Sequence, residues 1–119
     1  MIAKPHKRLE VWKESIKLVS SIYKLSGDFP GNEQYGLTSQ LRRAAVSVSS
    51  NIAEGLTRQS KKERLHFMHI ARGSISEIDT QFEIAERLGF ITGEAHSAID
   101  VQIQQTERLL SGLIRSLKQ

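Results

Sequence analysis

The stretch Ser60-Lys61-Lys62-Glu63-Arg64-Leu65-His66-Phe67-Met68-His69 holds residues capable of two kinds of chemistry. The first is metal binding. Glu63-x-x-His66 has the spacing of a ligand pair in di-iron helical bundles, and His69 follows about one turn on. A complete centre needs a second such pair and two more carboxylates on facing helices. The far end of the chain offers Glu94 and His96, two residues apart and therefore on different faces of a helix. No metal and no cofactor are expected. Cysteine is absent, which removes thiolate sites and disulfides, and there is no phosphate-cradling glycine loop, zinc-protease pair or nucleophile elbow.

The second chemistry is anion binding. Arg58, Lys61, Lys62 and Arg64 cluster at the start of a helical segment, where the first amides add to the attraction for phosphate and Glu63 offsets part of it. Lys13, Lys17 and Lys24 form a second basic stripe, and Arg42 adds a further exposed cation. Contacts of this kind go to backbone phosphates. They do not read sequence, do not separate RNA from DNA, and weaken with salt.

The elements that carry these residues are legible as helices. Apolar residues recur at steps of three and four along four segments, and no segment alternates with period two. The expected helices cover about 9–26, 33–54, 61–88 and 93–118. The connections are short, and Gly27, Pro30, Gly31 and Asn32 make a turn cluster. Gly55 reads as the stop of the second helix. Ser60 and Glu63 make a capping box for the third, Gly89 and Phe90 a Schellman ending, and Thr92 a cap for the fourth. The expectation is a single all-α domain over 1–119, an up-down-up-down antiparallel four-helix bundle. The longest uncharged run, Ala44 to Ala53, is too short to span a membrane. The start has no apolar core of signal-peptide length, so a cytoplasmic protein with no membrane role is expected.

The chain has net charge +4, distributed in blocks. Residues 1–24 carry six basic and two acidic side chains, 56–72 five and one, and 73–107 one and seven. Opposite blocks suit an anion on one surface and a basic partner, or a second copy, on another.

The second helix is unusual in its small polar residues: SQLRRAAVSVSSNIAEG, residues 39–55, has four serines and three alanines. Beside its apolar stripe run Gln40, Arg43, Ser47, Asn51 and Glu54, and the third helix answers with Ser74 and Glu77. A polar network between the two helices is expected, with an Arg43–Glu77 pair. Arg43, Ser47, Asn51 and Glu54 should be mostly buried, while Arg42, about 100° around the helix, should be more exposed.

The runs FPGNEQYGLTSQLRRAAVSVSSNIAEG, RQSKKE, HIARGSISEI and RLGF resemble the 23S rRNA intervening-sequence protein family. These are bacterial four-helix-bundle proteins, to which the accessory variability determinant protein of diversity-generating retroelements is similar. The resemblance covers most of the chain from Leu9 onward. It implies a non-catalytic bundle that assembles into a homo-oligomeric ring, commonly a pentamer, with basic surfaces that engage nucleic acid and a reverse transcriptase partner. Family members often carry proline where this chain has Ser49, so the kink such a proline imposes is not carried over. A second, shorter pattern, Arg64-x4-His69, is similar to the signature of HEPN ribonucleases, which implies an arginine for phosphate charge and a histidine as acid or base. Leu65 departs from the polar residue favoured there, and both side chains also fit an ordinary surface.

Val11, Leu18, Val46, Ile70, Ile84 and Ile114 fall outside the four main stripes. Exposed together they would form patches that a monomer usually avoids, which supports self-association. Three functional classes follow: a nucleic-acid-binding oligomeric adaptor, an interaction ring without nucleic acid, and a ribonuclease.

Overall fold

The computed structural model describes His6 and residues 9–119. Lys4, Lys7 and Arg8, half of the first basic block, lie outside the described residues. Four helices, α1 (Glu10–Ser26), α2 (Leu37–Leu56), α3 (Lys61–Arg87) and α4 (Gly93–Lys118), account for nearly all of the rest, and no strand occurs among the described residues. α1 packs on α2 and α4, and α3 packs on the same two, so α1 and α3 sit diagonally across a square bundle.

Named contacts fix the directions. Ser49 near the end of α2 bonds Ser15 near the start of α1, whereas Arg42 at the start of α2 reaches Ser26 at the end of α1. Lys61 begins α3 and touches the carbonyl of Lys118, which ends α4. His96 near the start of α4 meets Glu86 near the end of α3 at 2.6 Å. α2 and α3 meet at Gly55 against Met68 and at Ser47 against Ser74, so they too run antiparallel, and the up-down-up-down order follows.

Local signals explain the ends. Ser60 Oγ accepts from the Glu63 amide at 3.1 Å, and Thr92 Oγ1 from the Ala95 amide at 3.0 Å. These caps each satisfy one orphan donor of a helix start. The reciprocal half of the expected capping box, from Glu63 back to Ser60, does not form. α3 ends in the Schellman pattern: Phe90 N donates to Ala85 O, Gly89 N to Glu86 O, and Gly89 takes φ 77°. Phe90 then lies 5.7 Å from Phe29, centroid to centroid.

Two expectations about α2 are corrected. The helix begins at Leu37 rather than near residue 33, because Gly31–Glu33 form a separate 3₁₀ turn and Gly36 breaks the backbone at φ −113°, ψ −117°. Glu33 Oε1 then accepts from the Leu37 amide at 3.0 Å. At the other end Gly55 does not stop the helix; it is a buried helical residue, and α2 continues to Leu56. A Cβ there would stand 2.6 Å from Met68 Cε and 2.9 Å from Phe67 Cβ, so the glycine serves close approach to α3 rather than a left-handed turn. α2 runs unbroken through Ser49, whose Oγ donates to Ser15 Oγ at 2.9 Å inside the α1–α2 contact.

Helical spacing of apolar residues along α1 points to an inward stripe of Trp12, Ile16, Val19, Ile22 and Tyr23, but the core turns the helix from that face. Val11, Ser15, Leu18, Ile22 and Ser26 point inward, whereas Ile16 and Tyr23 are 42% and 43% exposed. Ser15 and Ser26 disguise this stripe as polar. Their hydroxyls donate to Trp12 O and Ile22 O on their own helix, so burying them leaves no donor unpaired. Val11, Leu18 and Ile114, expected outside the stripes, are therefore core residues, while Val46, Ile70 and Ile84 remain exposed. The apolar spacing of α3, through Leu65, Met68, Ala71, Ile75, Ile78, Phe82, Ala85 and Leu88, predicts Leu88 inward as well, but it is 58% exposed beyond the end of the helix.

Candidate nucleic-acid interface

α3 is 27 residues long, about 40 Å at the helical rise, which nearly spans the 44 Å long axis of the molecule. Its basic start and its acidic end therefore lie at opposite ends of the bundle. At the basic end Arg58, Lys61, Lys62 and Arg64 are joined by Arg115 and Lys118 from the last turns of α4. Lys61 Nζ donates to Lys118 O at 3.3 Å. Against these six cations stand Glu54 and Glu63.

The six are not equivalent. Arg58 Nη2 bonds Glu54 Oε1 at 2.8 Å, and its guanidinium lies 4.9 Å from the Phe67 ring centroid. Arg64 is half-buried, and its Nε donates to Arg58 O at 2.7 Å, tying down the α2–α3 connection. These two arginines brace the corner. Lys61, Lys62, Arg115 and Lys118 are exposed and form no ion pair among the described residues, so their charge is open to a ligand. Arg115 and Lys118 escaped the sequence reading. In sequence they are ordinary complements to a helix C-terminus, and only bundle closure brings them beside residue 61.

The other expected cations are elsewhere. Lys13 and Lys17 pair with Glu10 and Glu14 at 3.5 and 3.6 Å on α1, diagonally across from α3. Lys24 and Arg42 sit toward the opposite end of the bundle. Arg64 and His69 are five residues apart on α3, about 140° around it. Arg64 turns to the corner, while His69 is exposed. No group of three histidine or acidic side chains converges on a metal-sized site among the described residues.

The polar stripe departs from expectation in an instructive way. Ser74 is buried and its Oγ donates to Ser47 Oγ at 2.9 Å, while Asn51 Nδ2 donates to Ser47 O and Oγ at 2.8 and 2.9 Å. That part joins α2 to α3. Gln40, Arg43, Glu54 and Glu77 are instead exposed, and the expected Arg43–Glu77 pair does not form among the described residues. Ala44, Ser47 and Ser74 let the two backbones approach closely, leaving no room between them for long charged side chains. Arg42, expected to be the freer arginine, is the anchored one. Its Nε donates to Ser26 Oγ at 2.9 Å, its Nη2 to Tyr23 O at 3.2 Å, and its guanidinium stacks 4.6 Å from the Tyr23 ring centroid. The end of α1 offers the Tyr23 carbonyl and the Ser26 hydroxyl as acceptors on that side, which a guanidinium suits. Arg42→Ala should therefore lower stability by about 1–2 kcal/mol, and Arg43→Ala by less than about 0.5 kcal/mol. Urea unfolding of the two variants checks this; equal midpoints would contradict the Arg42 anchor.

A groove of about 680 Å³ between α3 and α4 is lined by Arg72, Asp79, Asp100, Glu107 and Arg108 over Ile75 and Ile103. Arg72 Nη2 donates to Ser111 Oγ at 2.8 Å, and Glu107 lies 3.5 Å from Arg72 Nε. Three carboxylates in that lining oppose phosphate.

The model of the 23S rRNA-intervening sequence proteins matches residues 7–112. The chain belongs to that family. This 23S rRNA-intervening sequence protein is thus an all-helical bundle among the described residues. The bundle is similar to a crystal structure from the S23 ribosomal protein family of Bacteroides thetaiotaomicron, a protein described as of unknown function. The TM-score is 0.78 at 23% identity, covering 87% of this chain and 97% of the other. That likeness concerns the fold. No curated protein matches the chain. No described helix is long and apolar enough to cross a membrane.

Proposed function

We propose that this intervening-sequence protein is a non-enzymatic, homo-oligomeric adaptor of the cytoplasm that holds RNA or DNA by its phosphates at the basic end of the bundle. One observation carries the reading: closure of the bundle brings Arg115 and Lys118 to the end that holds Lys61 and Lys62, and none of the four forms an ion pair among the described residues. A patch of four free cations binds weakly alone. Repeated around a ring, with five copies as the resemblance implies, it engages one nucleic acid at several points and gains by avidity. A reverse transcriptase is the protein partner that the likeness to retroelement accessory proteins implies. Arg64 and His69 take no catalytic part, since they diverge around α3 and Arg64 holds the corner.

The test is fluorescence anisotropy with a labelled RNA hairpin and a DNA duplex, with light scattering to follow assembly. Four phosphate contacts at a single patch predict an affinity loss of about 100-fold between 50 and 200 mM salt, and a steeper loss where several patches of the ring engage one nucleic acid. Changing Lys61, Lys62, Arg115 and Lys118 to glutamate should abolish binding and leave the oligomer mass unchanged. Undiminished binding by that variant would move the site to Lys13 and Lys17. No binding at low salt would leave an interaction ring without nucleic acid.

A further inference from the structure

α2 opens beside a groove whose polar lining is left without partners. Gly36, before the helix, supplies no side-chain cap, and the Glu33 carboxylate satisfies only the Leu37 amide. No hydrogen bond reaches the next two amides, those of Thr38 and Ser39, among the described residues. Thr38 is only 8% exposed, and its side chain lines a groove of about 500 Å³ between α1 and the start of α2. Its hydroxyl bonds no described residue, and a polar group on a buried residue is seldom left so. Deeper in a helix a threonine hydroxyl can turn to the carbonyl four residues back, but at the second position of α2 no helical carbonyl stands there. Tyr35, in the turn before α2, is 92% exposed and reaches the same groove. Arg42 and Arg43 complete it, and no acidic side chain lines it. Arg42 is held through Nε and Nη2, which leaves Nη1 without a described partner, and Arg43 forms no ion pair among the described residues.

This lining selects a ligand with two parts. Open amides at a helix start and two guanidiniums suit an anion, and a phosphate can use the amides, the hydroxyls and Arg43 together. A tyrosine ring with a free face suits a flat base. A volume of about 500 Å³ lies within the usual range of small-molecule sites. Bare phosphate would leave Tyr35 and most of that volume unused, and an apolar molecule would leave the amides and arginines unpaired. A nucleotide uses both. The groove lies at the start of α2, and α2 runs antiparallel to α3, so it sits at the far end of the bundle from Lys61 and Lys62.

We propose that the groove at the start of α2 binds a nucleotide, with its phosphate on the Thr38 and Ser39 amides and Arg43 and its base on Tyr35. The Thr38 hydroxyl donates to a phosphate oxygen. Arg42, stacked 4.6 Å from the Tyr23 ring centroid, forms the wall on the α1 side. A free mononucleotide and the 5′-phosphorylated end of a strand share this chemistry. The site is independent of the basic end and of assembly.

The purified full-length chain is titrated by calorimetry with adenosine 5′-monophosphate, adenosine and inorganic phosphate, with circular dichroism to confirm folding of each variant. The monophosphate should bind at least tenfold more tightly than either part alone. Tyr35→Ala should weaken it about tenfold and leave inorganic phosphate unchanged, the effect of losing one stacked base. Arg43→Ala should weaken the monophosphate and inorganic phosphate about tenfold and leave adenosine unchanged. Thr38→Val should cost about threefold. Tyr35 and Arg43 are exposed, so their variants fold even if Thr38→Val does not. Lys61→Glu with Lys62→Glu should leave the monophosphate affinity unchanged. A short oligonucleotide with and without a 5′-phosphate separates the two sources: tighter binding of its phosphorylated form than of the monophosphate supports the site as one for strand ends, and weaker binding supports it as one for the free nucleotide. No binding of the monophosphate at millimolar concentration overturns the proposal. So does binding that Tyr35→Ala and Arg43→Ala leave intact, or that the Lys61 and Lys62 changes remove. Inorganic phosphate that binds as tightly as the monophosphate also overturns it, since the site would then read an anion alone.

Discussion

Phe82→Ala is expected to cost about 3–5 kcal/mol, the range for truncating a fully buried phenylalanine. Phe82 is 0% exposed and the largest fully buried side chain of the core. It packs among the inward residues of α3, with its ring 6.3 Å from that of His96 on α4, centroid to centroid. Truncation leaves a cavity where α3 and α4 meet, near the turn held by Gly89, and removes the ring stacked against His96. Domains of this size have about 5–15 kcal/mol in total, so the variant should melt roughly 15 °C lower. Thermal and urea unfolding at one protein concentration measure it, since assembly would make stability depend on concentration. A loss below about 1 kcal/mol would mean that Phe82 does not fill the core.

Gly55→Ala is the second large effect, and its sign is the informative part. In an ordinary helix interior, replacing glycine by alanine stabilises by about 0.5–1 kcal/mol. Here the added methyl would meet Met68 Cε at 2.6 Å and Phe67 Cβ at 2.9 Å, with Arg64 O at 3.3 Å. The Met68 methyl can swing aside. The Phe67 Cβ and the Arg64 carbonyl belong to the frame of α3 and can move only with the helix. Forcing α2 and α3 apart should cost about 1–3 kcal/mol, and it would also disturb the corner that Arg64 and Arg58 brace beside the basic end. Gly112→Ala on α4 is the control. Its methyl would find only Arg115 Nη2 at 3.7 Å, an ordinary contact, so the alanine should stabilise by about 0.5–1 kcal/mol. If both variants shift the urea midpoint in the same direction, close helix approach is not the role of Gly55.

The chain by itself determined the parts that depend on local physics. Helix periodicity along α2, α3 and α4, the Ser60 and Thr92 caps and the Gly89–Phe90 ending all follow from residues within a turn or two of one another. The same holds for the antiparallel order of helices joined by short connections. α1 was legible as a helix but not as a face, because Ser15 and Ser26 are buried with their hydroxyls bonded within the helix and so read as solvent positions.

Which side chains meet depends on how the helices pack. Arg42 and Arg43 are neighbours of identical type, and no local rule orders them. The end of α1 provides acceptors to one, while close packing of α2 on α3 drives the other to the rim. Gly55 carries the same letter as a helix stop, and its role as a contact point depends on Met68 and Phe67 arriving from α3. The free cations of the basic end come from residues 61–62 and 115–118, far apart in sequence and joined only when the bundle closes. Periodicity and capping act over about one helical turn, so the chain encodes them locally; a charged patch or a groove is a property of two helices at once.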